Sequence, residues 1–342
     1  MHEPPQLTAS VIKQTLLTHY GLSVQTLNFL PIGNDSATFV YRAFAADDKS
    51  YFLKIRSRRG FKASSVLIPS FLFDQGLAHM LRPLPTRTQA LWVEVNKFVF
   101  ILYPFLETHT AYDAGLSDEA WIELGKTLRQ IHASPLTAEL QTIVPREAYI
   151  PWRREALDKL EPIINRNDLI DSAQLALQAF WRERQTEIRT LIERSDHLAS
   201  QLRQRTLSEV LCHADIHTWN VLVDESQQLW IVDWDEGMLA PKERDLMFVI
   251  GGIANGLVSP HQTQCFLQGY GASEIDLRTL TYYRYAWAVQ EMGAYAEEVF
   301  FSPESSEAAR LEAVTQFNSI FAPGNIASIA FDSRIDNLNG PT

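Results

Sequence analysis

The chain has 342 residues, of which 46% are apolar and two are cysteines, and its formal net charge is −11. No run of about 18 apolar residues occurs, so no membrane span is expected, and two thiols far apart in the chain do not make a disulfide framework. The charge argues against nucleic acid as a ligand, because clustered Lys and Arg bind phosphate backbones, and favours a cationic small molecule. The N-terminus lacks the basic and apolar regions of a secretory signal, so we expect a cytoplasmic protein.

The first third of the chain, up to about residue 106, combines strand patterns with turns. A helix is predicted over residues 10–20, where Gly21 would end it. Strands are predicted over residues 23–30, 37–44, 50–55, 91–95 and 98–103. Residues 47–48 and 96–97 are predicted hairpin turns. This pattern predicts a small antiparallel sheet.

The rest of the chain has mainly helical patterns. Trp121, Leu124, Leu128 and Ile131 repeat at helical spacing. Further helices are predicted over residues 153–165, 171–204, 243–257, 260–270, 274–300 and 304–321. We therefore expect an α+β protein with a sheet-containing N-lobe over 1–106, a helical C-lobe over 107–332 and a flexible tail over 333–342.

Residues 211–245 carry the most informative pattern of the sequence. His213, Asp215 and Asn220 form the motif H-x-D-x-x-x-x-N, and Asp233 follows at the end of an apolar run. Two apolar runs, at 221–223 and 229–232, are separated by a polar segment, which predicts a hairpin that brings Asn220 beside Asp233. A surface hairpin with acids at its ends is the ordinary alternative. The full order is typical of phosphotransferases of the protein-kinase type.

Phosphoryl transfer explains why these residue types occur at this spacing. The reaction needs an acceptor hydroxyl held in line and the charge on the phosphate oxygens neutralised. Asp215 is the candidate that orients the hydroxyl and takes its proton. Asn220 and Asp233 offer the hard oxygen ligands that Mg²⁺ prefers.

The segment resembles the catalytic loop of the aminoglycoside phosphotransferase and choline-kinase-like family. The strings DWDEGMLAPKERDLMF and SIFAPGNIASIAFD resemble more narrowly its spectinomycin phosphotransferase branch. Protein kinases proper are less similar, because Trp234 and Asp235 replace the Phe-Gly of D-F-G and Ala214 replaces the usual Arg. The resemblance implies a protein-kinase-like two-lobe fold, Mg²⁺ and ATP or GTP as cofactors, and a small hydroxyl compound as acceptor. From charge and hydropathy we expect no nucleic acid and no membrane as a partner, and no protein partner is evident in the sequence.

The N-lobe offers a lysine for the nucleotide phosphates. Lys54 interrupts an apolar strand pattern, so it lies either in a cleft, where it would pair with the α- and β-phosphates, or at an exposed edge. Its expected acidic partner is Asp74, the one acid between Lys54 and Glu94.

Two further N-lobe segments are candidates for nucleotide binding. Gly33, Asn34 and Ser36 lie in a turn that could cap phosphates, although an ordinary hairpin turn fits equally well. Tyr103 and Phe105 could supply an apolar slot and backbone hydrogen bonds to the nucleobase, in a segment that is also a core strand.

The resemblance also assigns supporting roles. His213 would order the catalytic loop, and Asp245, at the start of a helix, would support it. Acids on helices are commonly a solvated face, yet a cationic acceptor needs carboxylates and aromatic rings. The candidate substrate residues are Trp219, Glu236, Glu291 and Tyr295.

The most specific hypothesis is transfer of a γ-phosphoryl group to an aminocyclitol or aminoglycoside such as spectinomycin, which implies antibiotic resistance. One alternative is a kinase of an unrelated metabolite, such as choline, homoserine or a sugar-like compound. Another is a nucleotide-binding pseudoenzyme.

Overall fold

The computed structural model describes residues 7–33, 38–303 and 305–333. Packing divides the chain into two units, each compact in itself. Unit 1 contains the described residues of Met1–Ala120, Ala133–Val144 and Asp215–Gly237, and unit 2 contains those of Trp121–His132, Pro145–Ala214 and Met238–Thr342. These units follow packing rather than chain order, and the lobe boundaries drawn from the sequence stay a prediction.

The strands form three small sheets. Their bounds in the described part of the chain are β1 Val24–Leu30, β2 Thr38–Ala45, β3 Ser50–Ser57, β4 Val93–Val95, β5 Phe98–Pro104, β6 His109–Thr110, β7 Val210–Cys212, β8 Val221–Val223, β9 Leu229–Ile231 and β10 Met238–Ala240. The largest sheet lies in unit 1, has the order β1-β2-β3-β5-β4, and is antiparallel throughout. This is the small antiparallel sheet that the sequence predicts.

Strand β3 determines which face of this sheet carries charge. Leu53 and Ile55 are fully buried in an apolar core on one face. Because side chains alternate along a strand, Lys54 and Arg56 lie on the opposite face. Lys54 pairs in register with Ile101 of β5. The sequence thus places two cations side by side on one surface of the sheet.

The other two sheets lie on either side of the loop that carries His213, Asp215 and Asn220 in the chain. In unit 1, β8 pairs with both β6 and β9, and Val221 lies opposite Ile231. In unit 2, β7 pairs with β10. The predicted hairpin of residues 221–232 is therefore confirmed.

The helices account for most of the remaining described residues. Their bounds are α1 Ala9–Thr15, α2 Ser64–Asp74, α3 Ala111–Ala114, α4 Asp118–Ala133, α5 Ala138–Ile143, α6 Arg154–Ile164, α7 Ser172–Glu183, α8 Gln185–Leu202, α9 Glu243–Leu246, α10 Pro260–Tyr270, α11 Leu277–Phe300, α12 Glu307–Ser319 and α13 Ile326–Asp332. A π-helical turn, Leu16–Tyr20, extends α1 to Gly21, whose φ of 72° ends the helix as predicted. No helix among the described residues combines the length and apolar character that a bilayer crossing requires.

Two helix predictions are wrong in extent. The predicted helix over 171–204 is two helices, because Arg184 leaves helical geometry at φ −103° and ψ 17°. The predicted helix over 243–257 ends at Leu246. Gly251 and Gly252 then adopt φ of 81° and 66°, a left-handed conformation that glycine favours and that a right-handed helix cannot contain.

Helices α4 and α10 of unit 2 approach each other closely. A Cβ built on Gly269 would lie 1.8 Å from the carbonyl oxygen of Ile122, and one on Gly125 would lie 2.1 Å from that of Phe266. Any side chain at either position would push the two backbones apart. Glycine is therefore required at both positions by the contact itself.

Candidate active site

The loop after β7 holds Asp215 in a fixed orientation. Asn220 Nδ2 donates to the backbone oxygen of Asp215 at 2.8 Å and to its Oδ2 at 3.0 Å. His217 Nε2 lies 3.3 Å from Asp215 Oδ1. Both carboxylate oxygens of Asp215 therefore have a polar neighbour from the same loop, which orients the group before any substrate binds.

The hairpin brings Asn220 beside Asp233, as predicted. The amide of Val232 donates to the backbone oxygen of Asn220 at 3.0 Å. Asp233 has a φ of 62°, a conformation that costs energy for a residue other than glycine and that is common at functional sites. This bend turns the chain sharply after β9, directly beside Asn220.

The donors at this point fit a magnesium ion. Asn220 uses Nδ2 for its bonds to Asp215, so its Oδ1 is the amide atom that could bind a cation. The carboxylate of Asp233 already attracts the cationic Lys54. One amide oxygen and one carboxylate are the kind of hard donors that Mg²⁺ takes from protein.

Lys54 is bound by two carboxylates. Its Nζ lies 3.0 Å from Asp233 Oδ1 and 3.1 Å from Asp235 Oδ2. Burial opposes the charged ammonium, but attraction by the two aspartates outweighs it and raises the pKa of Lys54. Burial also raises the pKa of the nearby Tyr103 to about 12. Lys54 is thus a permanent cation and Tyr103 a neutral phenol at neutral pH.

Asp235 also binds Arg56, whose Nη1 lies 2.6 Å from Asp235 Oδ1. Lys54 and Arg56 are neighbours on the charged face of β3, and one carboxylate bridges them. Sequence reasoning missed both Asp235 and Arg56. The signal that could have found Arg56 is its two-residue spacing from Lys54, which places both side chains on one face of a strand.

The predicted pairing of Lys54 with Asp74 is wrong. Asp74 is the last residue of α2, its side chain is 63% exposed, and its Oδ1 accepts a hydrogen bond from Arg82 at 2.8 Å. Asp74 is the one acid in α2, and the buried positions of this helix are serine, proline and aliphatic residues. The turn after β9 supplies the carboxylates for Lys54 instead.

The nucleotide-binding candidates of the N-terminal region have different outcomes. Gly33 has a φ of 90° and open space around it, whereas Asn34 and Ser36 lie outside the described residues. The Phe105 amide donates to the Ser50 carbonyl at 3.3 Å. The Arg42 guanidinium covers the Phe105 ring at 3.8 Å from its centroid. Nucleotide binding by these residues stays a prediction.

In unit 2, Asp245 holds the segment that leads into Asp215. Its carboxylate accepts from the backbone amides of His213 at 2.9 Å and Ala214 at 2.6 Å, and from His132 Nε2 at 2.9 Å. Burial alone would raise the pKa of Asp245, but the bonds from His132 and Ala214 outweigh it and lower that pKa. Ala214 has a φ of 67°, and this clamp holds that strained residue in place.

His132 was missed by the sequence analysis. It lies four residues after Leu128 on the apolar side of α4, and its Nδ1 is 2.7 Å from the hydroxyl of Tyr270. A histidine at an apolar helical position was the available signal. The side chains of His132, Cys212 and Asp245 bring their ligand atoms within 4.8 Å of one another, and hydrogen bonds account for this packing.

Cys212 belongs to the same buried surroundings. It has no solvent exposure, and its Sγ lies 3.6 Å from the backbone oxygens of Ala240 and Pro241. Burial raises the pKa of this thiol well above its ordinary value. These properties fit a packing residue rather than a nucleophile.

The candidate substrate residues lie in both units. In unit 1, Trp219 stacks on Tyr112, and Glu236 Oε1 accepts from Lys62 at 3.3 Å. In unit 2, Glu291 accepts from the Tyr295 hydroxyl at 2.8 Å, and burial raises the pKa of Glu291. Their role in acceptor binding stays a prediction.

Comparison with known proteins bears on this arrangement. Residues 30–283, well over half of the chain, match the APH phosphotransferase enzyme family. The structure is similar to that of spectinomycin phosphotransferase APH(9)-Ia in complex with ADP and spectinomycin, with a TM-score of 0.88 and 34% identity over 96% of this chain and 99% of that one. The AMP-bound complex of the same enzyme is similar with a TM-score of 0.83 and 33% identity, over 96% of this chain and 99% of that one. Protein StrN of Streptomyces griseus is 25% identical over 289 residues, 82% of either chain.

These similarities confirm three predictions: the resemblance to the aminoglycoside phosphotransferase and choline-kinase-like family, the α+β kinase-like fold, and the assignment as a small-molecule kinase. The family match covers β2 to β5 of the largest sheet, the loop that carries Asp215 and the hairpin that follows it. The chain therefore belongs to the APH phosphotransferase enzyme family and is similar within it to spectinomycin phosphotransferase.

Proposed function

We propose that this enzyme transfers the γ-phosphoryl group of ATP or GTP, in the presence of Mg²⁺, to a hydroxyl of a small cationic aminocyclitol or aminoglycoside such as spectinomycin. The observation that carries the proposal is the position of Asp215. Its carboxylate is held by Asn220 and His217, and the hairpin that begins at Asn220 ends beside Asp233. An oriented base next to a cation site is what in-line phosphoryl transfer requires.

Each residue of the site has a distinct task in this proposal. Asp215 accepts a hydrogen bond from the acceptor hydroxyl, aligns its oxygen with the phosphorus and takes its proton as the new bond forms. Asn220 keeps the carboxylate in this orientation. Lys54 binds the α- and β-phosphates through its permanent positive charge. Asn220 Oδ1 and Asp233 would hold Mg²⁺, which supplies further neutralisation of the phosphate charge when bound.

We also propose further contacts with the nucleotide. Gly33, Asn34 and Ser36 would cap the phosphates, and Tyr103 and Phe105 would contact the nucleobase. The ADP bound in the similar spectinomycin phosphotransferase supports the use of a nucleotide.

The choice of acceptor rests on two observations. The chain is 34% identical to an enzyme whose complex contains spectinomycin, and its net charge of −11 favours a cationic compound. A cytoplasmic location, where nucleoside triphosphates are available, is part of the same proposal.

An ADP- and GDP-release assay tests the proposal with ATP or GTP, magnesium, and an acceptor panel of spectinomycin, streptomycin, kanamycin, choline, homoserine and methylthioribose. Asp215→Asn should lower kcat by about 10²- to 10⁴-fold, whereas Asp74→Asn, at the exposed end of α2, should keep parental turnover. Turnover on choline or homoserine alone would establish a metabolite kinase and reject the antibiotic acceptor.

A thermal shift assay addresses the case in which no acceptor of the panel is phosphorylated, because it detects nucleotide binding without turnover. If Mg-ATP raises the melting temperature but no acceptor is phosphorylated, either the acceptor is a metabolite outside the panel or the protein is a nucleotide-binding pseudoenzyme. An Asp215→Asn enzyme that turns over as fast as the parent would exclude the proposed base.

A further inference from the structure

Two exposed aromatic rings lie beside the loop that carries Asp215. The rings of Tyr112 and Trp219 stack with centroids 4.2 Å apart and planes 26° from parallel. Tyr112 is 51% exposed and Trp219 is 40% exposed. Aromatic rings are most stable when they bury their large apolar area, and here two of them leave about half of it open together. We call them the aromatic pair.

The His217 ring connects Trp219 with the carboxylate of Asp215. Trp219 directly precedes Asn220 in the 3₁₀ turn Thr218–Asn220. The His217 ring packs edge-on against Trp219, at a centroid distance of 5.4 Å and an interplanar angle of 79°. His217 Nε2 in turn lies 3.3 Å from Asp215 Oδ1. His217 therefore contacts both Trp219 and Asp215, which links the aromatic pair to the proposed base.

Tyr112 is fixed to the same framework. It lies in α3, where the Thr110 side chain caps the helix by accepting from the Asp113 amide at 3.1 Å. Thr110 also belongs to β6, which pairs with β8 opposite Leu222. Both rings are thus attached to the strand that follows Asn220, so the aromatic pair is organised before a ligand arrives.

The surroundings of the aromatic pair favour a cation. The faces of Tyr and Trp carry negative electrostatic potential and attract ammonium groups within about 6 Å of the ring centre. Two carboxylates belong to the same framework: Asp113, in the same short helix as Tyr112, accepts from Thr110 Oγ1 at 2.6 Å, and Asp215 lies beside His217. A positively charged amine meets attraction from each of these groups, whereas an anionic phosphate does not.

We propose that the aromatic pair is an acceptor subsite that binds a cationic amine of the acceptor and thereby directs a nearby hydroxyl to Asp215. This inference rests on the proposed function and adds Tyr112, whose contribution the sequence did not indicate. In this proposal the aromatic pair selects acceptors that carry an ammonium group, and Asp215 takes the proton of the acceptor hydroxyl.

Steady-state kinetics with spectinomycin test the subsite. Trp219→Leu and Tyr112→Leu should each raise KM for spectinomycin about 3- to 30-fold and lower kcat/KM for spectinomycin by at least the same factor, while the KM for nucleotide remains close to the parental value. Trp219→Phe and Tyr112→Phe keep an aromatic face and should restore most of the affinity. Phe73→Leu, at another exposed aromatic position of unit 1, should change neither constant.

Calorimetric titration of spectinomycin against the same variants gives a readout independent of turnover. Weaker binding to both leucine variants, with melting temperatures within a degree or two of the parent, would support the subsite. An unchanged KM and Kd would overturn it even in an active enzyme. A raised KM for nucleotide would instead assign the rings to the nucleobase and equally overturn it.

The two proposals fail in different ways. If the parent phosphorylates only uncharged acceptors, the enzyme is a kinase but the proposal of a cationic subsite is wrong. If the parent binds spectinomycin through the aromatic pair but does not phosphorylate it, the subsite is supported and spectinomycin is not the acceptor. A parent that neither binds nor phosphorylates any cationic compound of the panel overturns the subsite.

Discussion

Replacing Asp235 by Asn is the sharpest probe of the charged cluster in unit 1. The side chain of Asp235 is 24% exposed, and its two oxygens lie 3.1 Å from Lys54 Nζ and 2.6 Å from Arg56 Nη1. Asn keeps the shape and removes the charge. Lys54 then retains only Asp233 of its two carboxylates, and Arg56 loses this ion pair.

The expected loss follows from these contacts. A hydrogen bond to a charged group contributes about 1.5–3 kcal/mol, and breaking a fully buried ion pair costs about 3–5 kcal/mol. The groups here are 10–24% exposed, and Asn still accepts a neutral hydrogen bond. We therefore expect the free energy of unfolding to fall by about 2–3 kcal/mol.

The same change should alter the kinetics. Lys54 without Asp235 has Asp233 as its remaining acidic partner, and this tighter pairing would compete with both nucleotide and Mg²⁺. We expect a higher KM for nucleotide and a higher magnesium concentration for half-maximal activity, with the KM for the acceptor unchanged.

Urea denaturation and kinetics of Asp235→Asn, with Asp74→Asn as the matched control, measure these effects. Asp74 was the predicted partner of Lys54, but its exposed pair with Arg82 should contribute less than about 1 kcal/mol. Equal effects of the two substitutions, or parental stability and magnesium dependence of Asp235→Asn, would refute this reasoning.

Two further predictions concern unit 2. Asp245→Asn removes the buried charge paired with His132 and should lower the free energy of unfolding by about 3–5 kcal/mol, as chemical denaturation would show. Because the pKa of Asp245 is lowered on folding, its contribution is fully present above the ordinary Asp pKa of about 3.9 and is lost as the pH falls through the lower folded value. Parent and variant should therefore converge in stability only below about pH 4, and a constant difference down to pH 2 would contradict this account. Gly269→Ala should cost at least about 2 kcal/mol, because its Cβ would lie 1.8 Å from the Ile122 oxygen; Gly60→Ala, in open space, should change the urea midpoint little.

The sequence predicted the arrangement of this loop and hairpin well because the residues involved are close in the chain. Asp215, Asn220 and Asp233 span one loop and one hairpin, so local patterns were enough to bring them together. The partner of Lys54 depends on how a strand meets a turn about 180 residues later, and no local pattern encodes that contact. Proximity in sequence suggested Asp74, whereas in the fold Lys54 pairs with Asp233 and Asp235.

The helices show the same division. Helical patterns predicted α4, α10 and α11, but they could not reveal that Gly251 and Gly252 adopt left-handed backbone conformations after Leu246. The sequence did not indicate His132, because its partner Asp245 lies more than 100 residues away in the chain and only the fold brings the two together. Such buried polar partners come from distant segments, which is why they escape reasoning from one segment at a time.

Because Cys212 is fully buried, its reaction with a thiol reagent can report local opening of the strand that leads to Asp215. A thiol reagent attacks the thiolate of an exposed cysteine, and Cys212 offers neither exposure nor ready ionisation in the closed state. Labelling in a Cys265→Ala background would therefore report how often the strand leading to Asp215 opens, and its rate would give the free energy of that local opening. Comparing the labelling rate with and without nucleotide or acceptor would show which ligand reduces the opening of this strand.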